Sequence, residues 1–252
     1  MSNSEELYLM NQVALVTGSA RRIGASIAQR LHQNGMNVVI HYKTSFLEAN
    51  SLVKSLNELR PDSALLCQAD LSVCESMPLL IRHVIDKWGR LDVLVNNASN
   101  FYPTPLGHVT EAAWDDLHAG NVKGAFFLSQ AAFVYLKKER GVIINITDIH
   151  TKKPLKNYAA YTIAKAGLSM MTKVLAREMA PYVRVNAIAP GSILWPEAEN
   201  TPGESQKNEI IERTLLKKQG SPEDIAGIVH FLCQAKYITG EIITVDGGAS
   251  IR

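Results

Sequence analysis

The sequence predicts an α/β protein built as one domain over residues 1–252, with a doubly wound parallel sheet of about seven strands flanked by helices. Three observations predict it. Short β-branched apolar runs alternate with longer helical stretches along the chain. The runs are apolar on both faces, as expected of parallel strands covered by helices on each side. A glycine-bearing turn, TGSARRIG at 17–24, stands where the first run gives way to the first helical stretch.

The strands follow in order as VALVT (13–17), NVVIHY (37–42), ALLCQA (64–69), LDVLVN (91–96), GVIINIT (141–147), VRVNAI (183–188) and EIITV (241–245). Between them, IGASIAQRLHQNG reads as a helix stopped at Gly35. Further helices are expected at roughly 75–88, 110–137, 158–180 and 222–234. Parallel pairing of successive strands requires right-handed crossovers, which gives the doubly wound sheet. No repeat, low-complexity tract or second domain interrupts the pattern. One stretch departs from it. SILWPEAENTPGESQ (192–206) carries two prolines, a glycine and polar residues between a strand and a helix. It follows the sixth strand, at the carboxyl end where ligands approach such sheets. A mobile substrate lid is the functional reading, and a solvated loop is the alternative.

Composition narrows the function classes. Hydrophobic residues make up 46% of the 252, enough for a sizeable core. A net charge of +2 points to neither nucleic acid nor an anionic membrane. The opening MSNSEELYLMNQ is polar and acidic, so no signal peptide is expected, and no apolar run is long enough to span a bilayer. Cys67, Cys74 and Cys233 read as reduced packing residues of a cytoplasmic protein, and His and Cys show no metal-ligand spacing.

The glycine turn is the expected phosphate site. Gly18 permits a tight turn and close backbone approach, Gly24 lets helix and strand pack, and the N–H groups at Arg22–Ile23–Gly24 open toward a pyrophosphate. Arg22 stands where such loops usually carry glycine, and its guanidinium suits a phosphate or a substrate oxygen. A solvated helix-start cation is the bland alternative. The second strand ends in His41, Tyr42, Lys43, Thr44 and Ser45, with no Asp or Glu to take a ribose 2′-hydroxyl. Lys43, Thr44 and Ser45 suit a 2′-phosphate instead, so NADPH (and NADP+) is the expected cofactor. Asp70, followed by Leu71, suits either an adenine amino group or a helix N-cap.

Tyr161 and Lys165 form a Y-x-x-x-K pair on one helix face. An ammonium there is expected to lower the pKa of the phenol, which makes a proton donor for hydride-transfer chemistry. Asp148 lies thirteen positions before Tyr161.

Taken in order and spacing, TGSARRIG, NNAS (96–99), Asn121 in GNVKG, Tyr161 with Lys165, APG (189–191) and VDGG (245–248) resemble the short-chain dehydrogenase/reductase family over almost the whole chain. The closer resemblance is to the pteridine reductases. Their glycine loop also carries Arg at the place of Arg22. NNASNFYPTPL (96–106), Asp148 where carbonyl reductases usually have Ser, and AKYITG (235–240) also look like theirs. The bacterial dihydromonapterin reductases are similar too, in the Arg-Arg-Ile-Gly turn and the Thr-Asp before the Tyr.

The resemblance implies a Rossmann fold and a set of roles. Tyr161 is the proton donor, with Lys165 supporting it and binding the nicotinamide ribose. Asp148 hydrogen-bonds toward Tyr161 and a pterin, and Asn121 holds a water that relays protons. Phe101 stacks on the pterin, while Ser99 and Arg22 make polar contacts to it. Asn97, Ala98, Ser99, Pro190, Gly191 and Ser192 line the cofactor. A homotetramer built through the helices at 110–137 and 158–180 and the last strand is also implied.

The expected function is therefore NADPH-dependent reduction of dihydropterins or dihydrofolate, with fully oxidised pterins as a further substrate class. Its competitor is a carbonyl or 3-oxoacyl-thioester reductase, for which Thr147 is the candidate hydroxyl. On that view Asp148 is an N-cap or turn residue and Phe101 an ordinary core aromatic. A nucleotide-sensing scaffold is opposed by the intact Asn121, Tyr161 and Lys165.

Overall fold

The computed structural model describes residues 9–195 and 203–252. Seven strands form one sheet: β1 (Val13–Val16), β2 (Asn37–Tyr42), β3 (Ala64–Gln68), β4 (Val93–Asn96), β5 (Val142–Ile146), β6 (Arg184–Pro190) and β7 (Ile242–Val245). Their order is β3-β2-β1-β4-β5-β6-β7 and every pairing is parallel. This is the doubly wound arrangement expected.

Side chains alternate across the sheet and feed two cores. Ala14, Val16, Val38, Ile40, Val93 and Val95 face one layer of helices. That layer includes α1 (Arg22–Gln33) and α2 (Phe46–Leu59), with α8 (Pro222–Gln234) beside them. Val13, Leu15, Val39, Leu94, Ile143 and Val185 face the other. It includes α3 (Ser76–Trp88), α5 (Gly124–Glu139) and α6 (Ala159–Met179). Each such fully buried aliphatic chain stabilises the fold by about 1.5–3 kcal/mol.

A buried polar chain ties the second layer to the sheet. Asn96 Nδ2 donates to Ser129 Oγ at 3.1 Å and to Asn145 Oδ1 at 2.8 Å, and Asn145 Nδ2 donates to Thr172 Oγ1 at 2.9 Å. These bonds fix α5 and α6 against β4 and β5, directly beneath the residues that follow those strands.

The helices depart from expectation in three places. α2 was not anticipated, although Ala49, Leu52 and Leu56 give it a buried stripe at helical spacing. The run at 110–137 is α4 (Glu111–His118), a π-helical turn over Ala119–Lys123, then α5. α7 (Glu204–Glu212) begins inside the segment expected to be a loop, and it buries no residue, so its sequence carries no apolar stripe. Of the expected lid at 192–206, residues 196–202 lie outside the described residues. Among the described residues no helix is long and apolar enough to cross a membrane.

Candidate active site

The glycine loop is held rigidly by side chains beneath it. Thr17 Oγ1 donates to Val95 O and accepts from Asn97 N and Ala98 N, both at 2.9 Å. Asn97 Nδ2 donates back to Thr17 O at 2.9 Å and Gly18 O at 3.2 Å. Gly18 has φ +60°, and a Cβ there would stand 3.0 Å from Ala98 Cα. A Cβ on Gly24 would meet Asn97 Nδ2 at 2.6 Å. Both glycines are thus required by close approach. α1 starts without a side-chain cap and without an acidic residue in its first turn. A helix start of this kind presents N–H groups that suit an anion.

Arg22 adopts φ +57°. This is the physical reason glycine is usual there: the left-handed region disfavours any residue with a Cβ. Its guanidinium donates to Trp195 O at 2.9 Å, joining the glycine loop to the segment after β6.

His41 lies under the loop, 2% exposed, and acts by positioning it. Its Nδ1 accepts from Gly18 N at 3.0 Å, so Nε2 carries the proton and donates to Ala69 O at 3.1 Å. Burial pulls its pKa down to about 4, and this outweighs the opposing pull of Ala69 and Asp70.

A cavity of about 420 Å³ opens along the carboxyl ends of the strands. Gly18, Arg22, Ile23 and Gly24 line it with His41, Lys43, Asp70 and Leu71. Asn97, Ala98, Ser99 and Phe101 complete the lining beside Gly18. Lys43 Nζ pairs with Asp70 Oδ2 at 2.9 Å. Asp70 Oδ1 accepts from Ser72 N and Oγ in a local turn, and it does not make the helix N-cap considered for it, because α3 begins at Ser76 after Glu75. Burial pushes the Asp70 carboxyl up, but bonds from Ser72 and Lys43 win and hold it at about 2. Tyr42 is buried against Phe46, its ring centroid 5.9 Å away, and it lies with Thr44 and Ser45 beside the lining rather than in it. Pro190, Gly191 and Ser192 also lie off the lining. Gly191 N donates to Val245 O at 2.9 Å, and a Cβ on Gly191 would meet Asp246.

The chemical groups converge beside Phe101. Asp148 follows β5 and caps a 3₁₀ turn (Ile149–Thr151), with Oδ1 accepting from His150 N at 2.8 Å. Its other oxygen, Oδ2, accepts from Tyr161 Oη at 2.6 Å. Asp148 thus makes the turn cap with one oxygen and the bond to Tyr161 with the other. Thr147 is buried and its hydroxyl donates to Ile188 O at 2.9 Å, so it faces the sheet.

Lys165 is buried and donates to Ile146 O at 2.9 Å, with Nζ 5.9 Å from the Tyr161 ring centroid. The expected lowering of the Tyr161 pKa is overturned. Burial, then the charge and hydrogen bond of Asp148, push the phenol well above its ordinary value. Burial also pulls Lys165 down to about 8, against the raising charge of Asp148.

Asn121 sits in the π-helical turn, a feature found often at functional sites. Its Nδ2 donates to Asn100 O and Leu117 O, both at 2.9 Å, and its buried Oδ1 has no protein partner. Phe101 is 38% exposed, so it is no ordinary core aromatic. One face stacks on Tyr158 at 4.6 Å and 14°, and Tyr161 meets it edge-on at 4.8 Å. Sequence reasoning missed Tyr158, although it lies one helical turn before Tyr161. It also missed Asn100, Asp116 and Gly120, which line the cavity without a local signature. Among the described residues no cluster of His, Cys, Asp and Glu could hold a metal, and the three cysteines are unpaired.

The arrangement can bind a phosphate-bearing nucleotide along the strand ends and present a proton donor beside an aromatic wall. Comparison with known proteins agrees with that chemistry. The family model described as enoyl-(acyl carrier protein) reductase matches residues 18–250. The chain is 38% identical to pteridine reductase 1 of Leishmania tarentolae, over 95% of this chain and 96% of that protein. It is 37% identical to the 3-oxoacyl-[acyl-carrier-protein] reductase of Staphylococcus epidermidis, over 95% of this chain and 99% of that protein. An oxidoreductase of Methylorubrum extorquens is 35% identical over 95% of the chain. The chain belongs to the short-chain dehydrogenase/reductase family.

Proposed function

We propose that the protein reduces a pterin at the expense of NADPH, taking dihydropterins or dihydrofolate to the tetrahydro form, with fully oxidised pterins within reach of the same chemistry. One observation carries this reading: Tyr161 Oη is bonded to a carboxylate, Asp148 Oδ2, at 2.6 Å, with Phe101 beside it. A pterin offers ring nitrogens and an amino group, which a carboxylate binds better than a hydroxyl does. It is flat, and the face of Phe101 turned from Tyr158 gives it stacking area.

The residues present fit the cofactor. Gly18 and Gly24 let the loop pack against Ala98 and Asn97, which brings the start of α1 to the cavity, where its N–H donors suit a pyrophosphate. Lys43 stands at the end of β2, where a 2′-phosphate would draw it from Asp70. Bound NADPH supplies the hydride. Lys165 holds the nicotinamide ribose, and Ser99 and Arg22 hold polar edges of the substrate and a phosphate. Tyr161 gives the proton to a ring nitrogen. The phenolate so formed faces the Asp148 carboxylate, and its proton is replaced from solvent. The unpartnered Asn121 Oδ1 suits a water that restores protons from solvent.

The second reading is a 3-oxoacyl-thioester reductase, favoured by the Staphylococcus epidermidis relative. It lacks a free hydroxyl at the Asp148 place, since Thr147 is bound to Ile188. We further propose a cytoplasmic homotetramer. Exposed Ile163, Met170 and Val174 on α6 and Phe126, Phe127 and Val134 on α5 form the apolar faces it would cover. NADPH consumption with dihydrobiopterin, dihydromonapterin and dihydrofolate, run beside an acetoacetyl thioester, tests the function. Turnover of a pterin alone supports it, and turnover of the thioester alone defeats it.

A further inference from the structure

The segment that carries Phe101 is held at both sides by one carboxylate. Asp116, on α4, accepts from Asn100 Nδ2 at 3.1 Å on Oδ1 and 3.0 Å on Oδ2. Its Oδ2 also accepts from Tyr102 Oη at 2.8 Å. Asn100 and Tyr102 are the two chain neighbours of Phe101. Gly120 completes the clamp, because a Cβ there would stand 2.8 Å from Asn100 Nδ2 and push that amide away from Asp116. The backbone of Asn100 has a separate tether, its carbonyl accepting from Asn121 Nδ2 at 2.9 Å.

Phe101 itself has no polar handle. Stacking on Tyr158 fixes the plane of its ring but does not by itself set the position of the ring along that plane. Hydrogen bonds to a charged acceptor are the strong kind, and here they fall on either side of the ring. We propose that Asp116 is a positioning residue for substrate: it clamps Asn100 and Tyr102, and so sets where Phe101 presents its open face to the bound ring. A pterin as that ring rests on the function proposed above; the clamp itself does not. Asp116 touches neither Tyr161 nor Asp148, so its loss is felt in binding more than in the chemical step.

The test uses full-length Asp116→Ala and Gly120→Ala, which break the clamp from opposite sides, and Tyr102→Phe, which removes one of its bonds. Hydrogen exchange over 97–104 reads the clamp without substrate. It is expected to quicken by about tenfold in the two alanine variants and by less in Tyr102→Phe, since the loss of charge-assisted bonds is worth roughly that factor. Steady-state kinetics read its purpose. KM for dihydropterin is expected to rise by about tenfold in both alanine variants, kcat to fall by less than about threefold, and KM for NADPH to stay within about twofold. Unchanged exchange in the alanine variants, with Tm within about 2 °C of the parent, overturns the clamp. Faster exchange with an unchanged KM on the turned-over substrate overturns its positioning role. If the parent reduces only the acetoacetyl thioester, the pterin reading fails. The same KM comparison on the thioester then decides the positioning role.

Discussion

Tyr161 Oη donates to Asp148 Oδ2 across 2.6 Å, while Lys165 points past the phenol to the carbonyl of Ile146. The phenol therefore rests against a negative charge. It stays protonated through the ordinary pH range, ready to give its proton and unwilling to lose it to solvent. That state suits a proton donor that is fully loaded at neutral pH.

Replacing Tyr161 with Phe removes the donor and leaves the Asp148 cap on His150 in place. The rate of reduction is expected to fall by about 10²- to 10⁴-fold with the fold intact. Single-turnover kinetics beside a far-UV circular dichroism spectrum check this. A variant that keeps more than about a tenth of the rate would remove Tyr161 from the chemistry.

The alkaline limb of kcat/KM belongs to Lys165. Its pKa is about 8 while the phenol sits well above 10, so activity is expected to decline above about pH 8 as the ammonium is lost. Asp148 raises the Lys165 pKa, so in Asp148→Asn the limb moves to lower pH. Stability runs the other way. Between about 8 and the ordinary lysine value, the unfolded chain binds a proton that the folded one does not, so this group adds stability as pH rises through that window. Urea melts of wild type and Lys165→Met across the window measure the difference.

His41 makes the acid side fragile. Its folded pKa of about 4 lies below the ordinary histidine value near 6.5, so its contribution is present above 6.5 and is lost as pH falls toward 4. Protonation would put a hydrogen on Nδ1, against the Gly18 N–H. His41→Gln is expected to be less stable at pH 7 yet to lose less between pH 6.5 and 4. Equal losses in the two proteins would contradict the account.

Arg22 separates stability from binding. At φ +57° a side chain costs roughly 1 kcal/mol, which Arg22→Gly relieves. The same change removes the guanidinium from the cavity. Tm is expected to rise while KM for dihydropterin increases by about tenfold. A fall in Tm would mean that the bond to Trp195 outweighs the strain.

The sheet was legible because a strand buried on both faces must be a continuous apolar run, and all seven runs carry strands of one parallel sheet as expected. The helix α7 was not, because it buries nothing and so has no stripe to read. The π-helical turn at Asn121 was hidden because its residues, AGNVK, continue a helical pattern on either side. Spacing along the chain brought Asp148 toward Tyr161, but it could not tell that the carboxylate would lie nearer the phenol than Lys165 does. The sign of the Tyr161 shift was lost because burial, its largest cause, arises from the fold and leaves no mark on the spacing. Asp116 and Tyr158 were invisible for a related reason: their roles arise from what lies across the cavity, not from neighbours in sequence.

The central claim is that a carboxyl at position 148 fits this site to a pterin. The most direct test compares kcat/KM of wild type and Asp148→Ser for dihydrobiopterin and for an acetoacetyl thioester, in parallel. The account predicts that wild type reduces the pterin and not the thioester, and that Asp148→Ser loses about 10²-fold on the pterin while gaining reduction of the thioester. Reduction of the thioester by wild type, with pterin turnover unchanged in Asp148→Ser, would contradict it.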